Sequence, residues 1–243
     1  MDPVLFEFLL QLGDNCLILS QRLSEWCGHG PVLEEDIAVT NVALDLLGQA
    51  RLWLSYAGDE DQLAFLRDAG GFRNVLLVEQ PNGDYAHTMA RQFYFDAWHH
   101  LALSELVRSN DRRIAEIAAK ARKEVKYHLE RSTDWIIRLG DGTDESHSRM
   151  QSAVDALWMY TGELFEMDDA GRTANERGFG LDLAALRTPW LQHIEPTFRE
   201  ATLQMPGGQW MQRGGKRGVH TEKLGYILAE MQFLQRAYPG AQW

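Results

Sequence analysis

Two pairs of long amphipathic segments, each pair joined by a short break and the pairs separated by a long one, constrain this chain more than any other feature. The first segment, from about Pro3 to Trp26, carries Phe6, Leu9, Leu10, Cys16, Leu17, Leu23 and Trp26 at helical spacing. Gly28-His29-Gly30-Pro31 stops it. The second runs to about Tyr56, with Glu34, Glu35 and Asp36 suited to the positive end of a helix dipole. Two helices of about 22 residues are each roughly 33 Å long, and so short a break folds them into an antiparallel hairpin. A third segment, from about Asp84 to Val107, and a fourth, ending at Leu139 before Gly140, meet at Asn110-Asp111 and repeat the pattern.

Residues 58–83 form the long connection, with a short helix expected near Asp61–Arg67 and a turn at Pro81-Asn82-Gly83-Asp84. Hairpin, crossover, hairpin is the connectivity of ferritin-like bundles. No alternating apolar pattern suggests a strand, so the expected class is all-α. A fifth helix is expected over about Asp144–Phe165, a polar loop over 168–182, a helix over Pro189–Met205 that Pro196 must kink or break, and a last helix over Thr221–Tyr238. The reading is one ferritin-like domain over 1–243, its four-helix core at about 3–139 and a helical extension at about 144–243.

Ferritin-like di-iron bundles draw one Glu from each of two helices and a Glu-x-x-His from each of the other two. The positions here are Asp14, Asp45, Gly48, Asp96, Glu124 and His128. If the first hairpin turns about residue 29.5 and the second about 110, Asp45 lies opposite Asp14 and Glu124 opposite Asp96. The set is incomplete. Gly48 stands where a histidine belongs, Tyr127 takes the other imidazole position, and His128 sits one residue late. Three of the four acids are Asp, one methylene shorter than Glu. These positions read as vestigial, with no metal ligands and no catalytic residues, and the inward acids require neutralising partners. Asp45 and Asp96 have apolar neighbours and are expected to be buried; His99 and His100 read as core or surface histidines.

A formal charge of −11 argues against nucleic-acid binding. No uninterrupted apolar run reaches the ~18 residues of a membrane span, and Met1–Leu12 lacks the basic start of a signal peptide. Cys16 and Cys27, 11 residues apart on one expected helix, are roughly 16 Å from each other, too far for a disulfide. Both read as small core hydrophobes, and the expected compartment is cytoplasmic.

Several runs carry a family resemblance. Gly13-Asp14-Asn15-Cys16-Leu17, Glu25-Trp26-Cys27-Gly28-His29, Leu44 to Arg51, Leu77 to Gly83, Lys123-Glu124 with Tyr127-His128-Leu129, Arg138 to Thr143, Gly214-Gly215-Lys216, His220-Thr221-Glu222 and Ala229 to Gln232 together resemble the C-subunit family of the phenylacetyl-CoA epoxidases. The resemblance spans nearly the whole chain and is weakest over 168–187. It implies a bacterial multicomponent monooxygenase of phenylacetate catabolism that epoxidises the aromatic ring with O2 and with NADPH electrons delivered by a reductase subunit. It further implies that the di-iron centre belongs to the A subunit, and that this chain holds no cofactor and acts as its structural partner.

Three functions follow. The first is a non-catalytic scaffold. The second is an autonomous di-iron oxygenase using Asp14, Asp45, Asp96, Glu124 and His128. The third is an acyl-CoA-binding bundle whose Gly-rich Arg213–Gly218 segment, with Lys216 and Arg217, would hold a phosphate.

Overall fold

A computed structural model describes residues 1–208 and 210–241. Ten α-helices and five short 3-10 turns make up the regular structure of the described residues, and no strand occurs among them. The chain is all-α, with the connectivity of a ferritin-like bundle. It divides into two compact units, Met1–Pro81 with Gly214–Trp243, and Asn82–Arg213. The extension expected after residue 144 is therefore shared, its first part lying in the second unit and its last thirty residues in the first.

In the first unit α1 (Pro3–Ser24) and α2 (Leu33–Ala57) form the hairpin. Asp2 caps α1, its side chain accepting from Val4 N–H at 2.8 Å. Every residue of α1 from Phe8 to Ser20 is buried. Its mean hydropathy of 1.3 over a span-length window corrects the expectation drawn from uninterrupted runs: by length and composition alone α1 is apolar enough to cross a membrane. That window is 72% buried inside the molecule, as in a core helix. Close packing depends on Gly13, where a Cβ would come within 2.7 Å of the Leu54 side chain. The crossover carries α3 (Glu60–Phe65) and two 3-10 turns, Ala69–Gly71 and Leu76–Glu79. The last segment adds α9 (Glu222–Met231) and α10 (Phe233–Ala237), two pieces where one helix was expected.

In the second unit α4 (Tyr85–Leu106) pairs with α5 (Arg112–Gly140). Asp84 caps α4 through His87 N–H at 2.9 Å, and Asp111 caps α5 through Arg113 and Ile114 N–H. α6 (Asp144–Trp158), opened by a Thr143/Ser146 capping box, and α8 (Arg187–Glu200) pack on this hairpin. α8 continues through Pro196. The polar stretch at 168–182 is not all loop: Asp168 caps a short α7 (Asp169–Glu176). The aromatic rings of Tyr94, Trp158, Trp190 and Phe198 pack together at centroid distances of 5.7 to 6.0 Å.

Candidate functional site

In the first hairpin the acid at mid-α1 is fully buried and clamped. Both Asp14 oxygens receive Arg67: Nη1 donates to Oδ2 at 3.0 Å and Nη2 to Oδ1, while Arg73 N–H adds a third bond at 2.8 Å. Arg67 is fixed in turn by the carbonyls of Leu63 and Gly71, and its guanidinium lies 4.3 Å from the centre of the Phe72 ring. Burial pushes the Asp14 carboxyl above its ordinary range, against the pull of Arg67 and the Arg73 N–H. The neutralising partner that the buried acid requires is an arginine supplied by the crossover.

Asp45 does not meet Asp14. Cys16 Sγ lies 3.8 Å from Gln49 Oε1, and Gly13 packs on Trp53 and Leu54, so Asp14 faces the stretch of α2 near residue 52. The physical reason is the asymmetric connection. Trp26, Cys27 and His29 continue beyond Ser24 in hydrogen-bonded turns, so the chain climbs past the end of α1 before α2 begins. This displacement takes Asp45 to the half-buried margin of α2 and leaves Gly48 exposed, with open space where its Cβ would be. Leu44, expected among buried neighbours, is 60% exposed. The same turns put Cys27 outside the helix and on the surface; only Cys16 is a core residue, and both are free thiols.

The second hairpin keeps the expected register, with Tyr85 against Trp135 at 5.2 Å between ring centres. Asp96 is fully buried and accepts from Gln92 Nε2 at 2.6 Å and Ser132 Oγ at 3.0 Å, and the buried His128 exerts the largest charge influence on it. Side chains on both helices lean toward their own N-termini, which brings Asp96 down to Ser132 rather than to Glu124. Glu124 is half-buried, and Tyr127 is 53% exposed, on the outer face. Burial raises the Asp96 carboxyl to about 6, against the pull of His128, Ser132 and Gln92. Burial also holds His99 down to about 3, helped by His128 and His100, so His99 is neutral. His100 and His193 are displaced downward by burial as well.

The expected register set Asp96 opposite Glu124, whereas the structure surrounds it with Gln92 and Ser132 under the influence of His128. Both donors sit one helical turn from a named residue, the spacing that could have found them. Glu79 was missed altogether. It is fully buried: its Oε2 lies 2.8 Å from His220 Nδ1 and accepts from Asn74 Nδ2 at 3.0 Å, its Oε1 accepts from Thr221 N–H at 2.7 Å, and its carbonyl accepts from Arg22. The signal was an acid directly after the apolar run Val75-Leu76-Leu77-Val78.

No three His, Cys, Asp or Glu side chains among the described residues converge as metal ligands. The donor sets do not suit iron either: the oxygens of Asp14 and Asp96 already accept from guanidinium, hydroxyl, amide and backbone donors. The Gly-rich segment is explained by packing. A Cβ on Gly215 would lie 2.0 Å from Asn74 O, one on Gly218 2.3 Å from Gly70 O, and Lys216 is buried.

A family described as "Phenylacetic acid catabolic protein" matches residues 2–243. The C subunit of 1,2-phenylacetyl-CoA epoxidase from Escherichia coli (strain K12) is 53% identical over 242 residues, covering 97% of this chain and 98% of that one. With a family match and a relative that both run nearly end to end, the chain belongs to the phenylacetic acid catabolic protein family.

Proposed function

We propose that this chain is a non-catalytic structural subunit of a phenylacetyl-CoA epoxidase, pairing with and stabilising the di-iron subunit that performs the epoxidation. It works in the cytoplasm, beside a reductase that passes on electrons from NADPH, and holds no cofactor itself. The observation that carries this reading is the state of its two mid-helix acids. Asp14 is held by Arg67 and the Arg73 N–H, and Asp96 by Gln92 and Ser132. A carboxylate whose lone pairs are taken by fixed donors cannot bind a metal without breaking them. The relative named as part of the epoxidase supports the assignment to the complex.

Nothing in this chain's own residues moves electrons or activates O2 under this reading. Its contribution is structural: helices whose two mid-helix acids are satisfied by the chain's own donors. The test is to produce the di-iron subunit with and without this chain. Without it, the di-iron subunit should aggregate or lose epoxidase activity, and adding the purified chain should restore both. A soluble, fully active di-iron subunit on its own would refute the proposal.

A further inference from the structure

A cavity of about 420 Å³ opens at the end of α6, wholly inside the second unit. Aromatic rings form its floor. Trp158 ends α6, Trp190 lies in the first turn of α8, and Phe165 comes from the 3-10 turn Gly162–Phe165 between them in sequence. The ring centres of Trp158 and Trp190 are 5.7 Å apart, and Phe165 stands edge-on to Trp190 at 5.2 Å. The floor is held from behind, because Trp190 Nε1 donates to the Tyr94 carbonyl at 3.0 Å. Met211 closes one side: a Cβ on Gly162 would lie 2.9 Å from its side chain, and Gln212 N–H donates to the Met159 carbonyl at 2.8 Å. Two charged groups line the mouth, Glu166 and Arg187. They differ in one respect. Glu166 faces Arg213 at 3.8 Å, whereas the Arg187 guanidinium has no hydrogen-bond or ion-pair partner among the described residues.

We propose that this cavity binds a small aromatic carboxylate, one ring on a short acid side chain, with the ring against Trp158 and Trp190 and the carboxylate on Arg187. Size sets the first limit. An apolar cavity of ~150 Å³ already holds a benzene, so this one takes a single ring, its side chain and a few waters. Its volume is that of an ordinary ligand site, ~300–1,000 Å³. The walls select the ring, because aromatic faces and edges favour an offset-stacked or edge-on guest ring over an aliphatic chain. Charge selects the acid. A cationic guest would meet an unpaired guanidinium, and the lining acid, Glu166, already faces Arg213. The first turn of α8 carries no acid, so the positive end of its dipole adds to Arg187. A neutral ring would leave the guanidinium unused, whereas a carboxylate gains a charge-assisted, two-pronged hydrogen bond. The inference does not depend on the structural-subunit reading, since a chain without catalytic residues can still hold a ligand.

The test is isothermal titration calorimetry of the full chain with three ligands that differ only at one end: 3-phenylpropanoate, 3-phenylpropan-1-ol and 3-phenylpropylamine. The acid should bind one to one with a Kd below about 1 mM, ordinary for so small a ligand, and at least about tenfold more tightly than the amine. Arg187→Met should weaken the acid about tenfold and leave the alcohol where it was. Ala184→Phe fills the cavity from an exposed lining position and should abolish binding of the acid, with thermal unfolding matched to the unaltered chain. Should that variant fail to fold, Arg187→Met decides the question alone. Arg199→Met, on the same helix but not lining the cavity, should bind the acid within about threefold of the unaltered chain. No binding of the acid at several millimolar would overturn the inference. An amine that binds as tightly as the acid, or an Arg187→Met chain that binds the acid like the unaltered one, would overturn it too. Tighter binding of 3-phenylpropanoyl-CoA than of the free acid would assign the cavity to an acyl chain and have the same effect. None of these measurements involves the di-iron subunit, so a failure here leaves the structural-subunit reading intact.

Discussion

The two long hairpins solve one problem in different ways. Each buries an aspartate near the middle of its first helix. In the α1–α2 unit the solution is a full opposing charge: Arg67 forks onto Asp14 from the crossover. In the α4–α5 unit it is a set of dipoles, Gln92 and Ser132, with His128 as the largest charge influence. The first arrangement binds a distant segment to the helix; the second leaves a carboxyl that burial has pushed up to about 6. The difference shows that a buried acid can serve either as an anchor or as a tolerated cost. The outer faces differ as well, apolar along α2 and ion-paired along α5.

The anchor should be the more fragile, so Arg67→Ala should have the largest effect. It strands a buried carboxylate and removes the contacts to Leu63, Gly71 and Phe72, and should cost about 3–5 kcal/mol in urea unfolding. Arg67→Met combined with Asp14→Leu should recover most of that loss, because an apolar pair of similar size often replaces a buried ion pair at little cost. A single Arg67→Ala cost below about 1 kcal/mol would erase the contrast between the hairpins.

Next is Glu79→Ala, which frees Thr221 N–H, Asn74 and His220 from a shared acceptor. A loss of about 2–3 kcal/mol is expected, with faster amide exchange concentrated in Glu222–Met231. Unchanged exchange there would mean that the last segment is held elsewhere.

The tolerated cost should show as a gain when it is removed. The folded Asp96 carboxyl titrates at about 6 against an ordinary 3.8. Its stabilising contribution is therefore present below about pH 4 and is lost as pH rises through about 6. Asp96→Asn should be close to neutral at pH 4 and more stable than the parent by about 2 kcal/mol at pH 7. Gln92 can rotate to serve the new amide, since its Oε1 has no hydrogen-bond partner among the described residues. His99 acts in the opposite sense. Held near 3, it contributes stability above about pH 6.5 that is lost as pH falls through 3. The two contributions therefore offset each other between about pH 4 and 6. His99→Gln should raise stability at pH 4 relative to pH 7 when compared with the parent, and a parallel pH profile would contradict the burial argument.

The smallest effect belongs to the ion-paired face of α5. Lys126→Ala opens an exposed pair with Glu130 at 3.7 Å and should stay within about 0.5 kcal/mol of the parent.

The helices were legible because their apolar spacing and caps are local. Asp84, Asp111 and Thr143 each sit where a cap is needed. The first hairpin's register was not legible, because it depends on how far residues 25–29 climb after α1 ends. A displacement of a few residues there was enough to move Asp45 out to the margin and leave Gly48 in solvent. The incomplete ligand set could be read at Gly48 and Tyr127, but its replacements could not. Arg67 lies 53 positions from Asp14 along the chain, and Glu79 lies 141 from His220. Pairings of that range carry no periodicity.

The central claim is that these acids serve structure and not iron. The measurement that tests it most directly is iron content after anaerobic ferrous loading and desalting of the purified chain, with Arg67→Ala measured alongside. Near-zero iron in both is the expected result. About two irons per chain, the number a complete bundle site holds, would make Asp14, Asp96 and His128 ligands and contradict the structural reading.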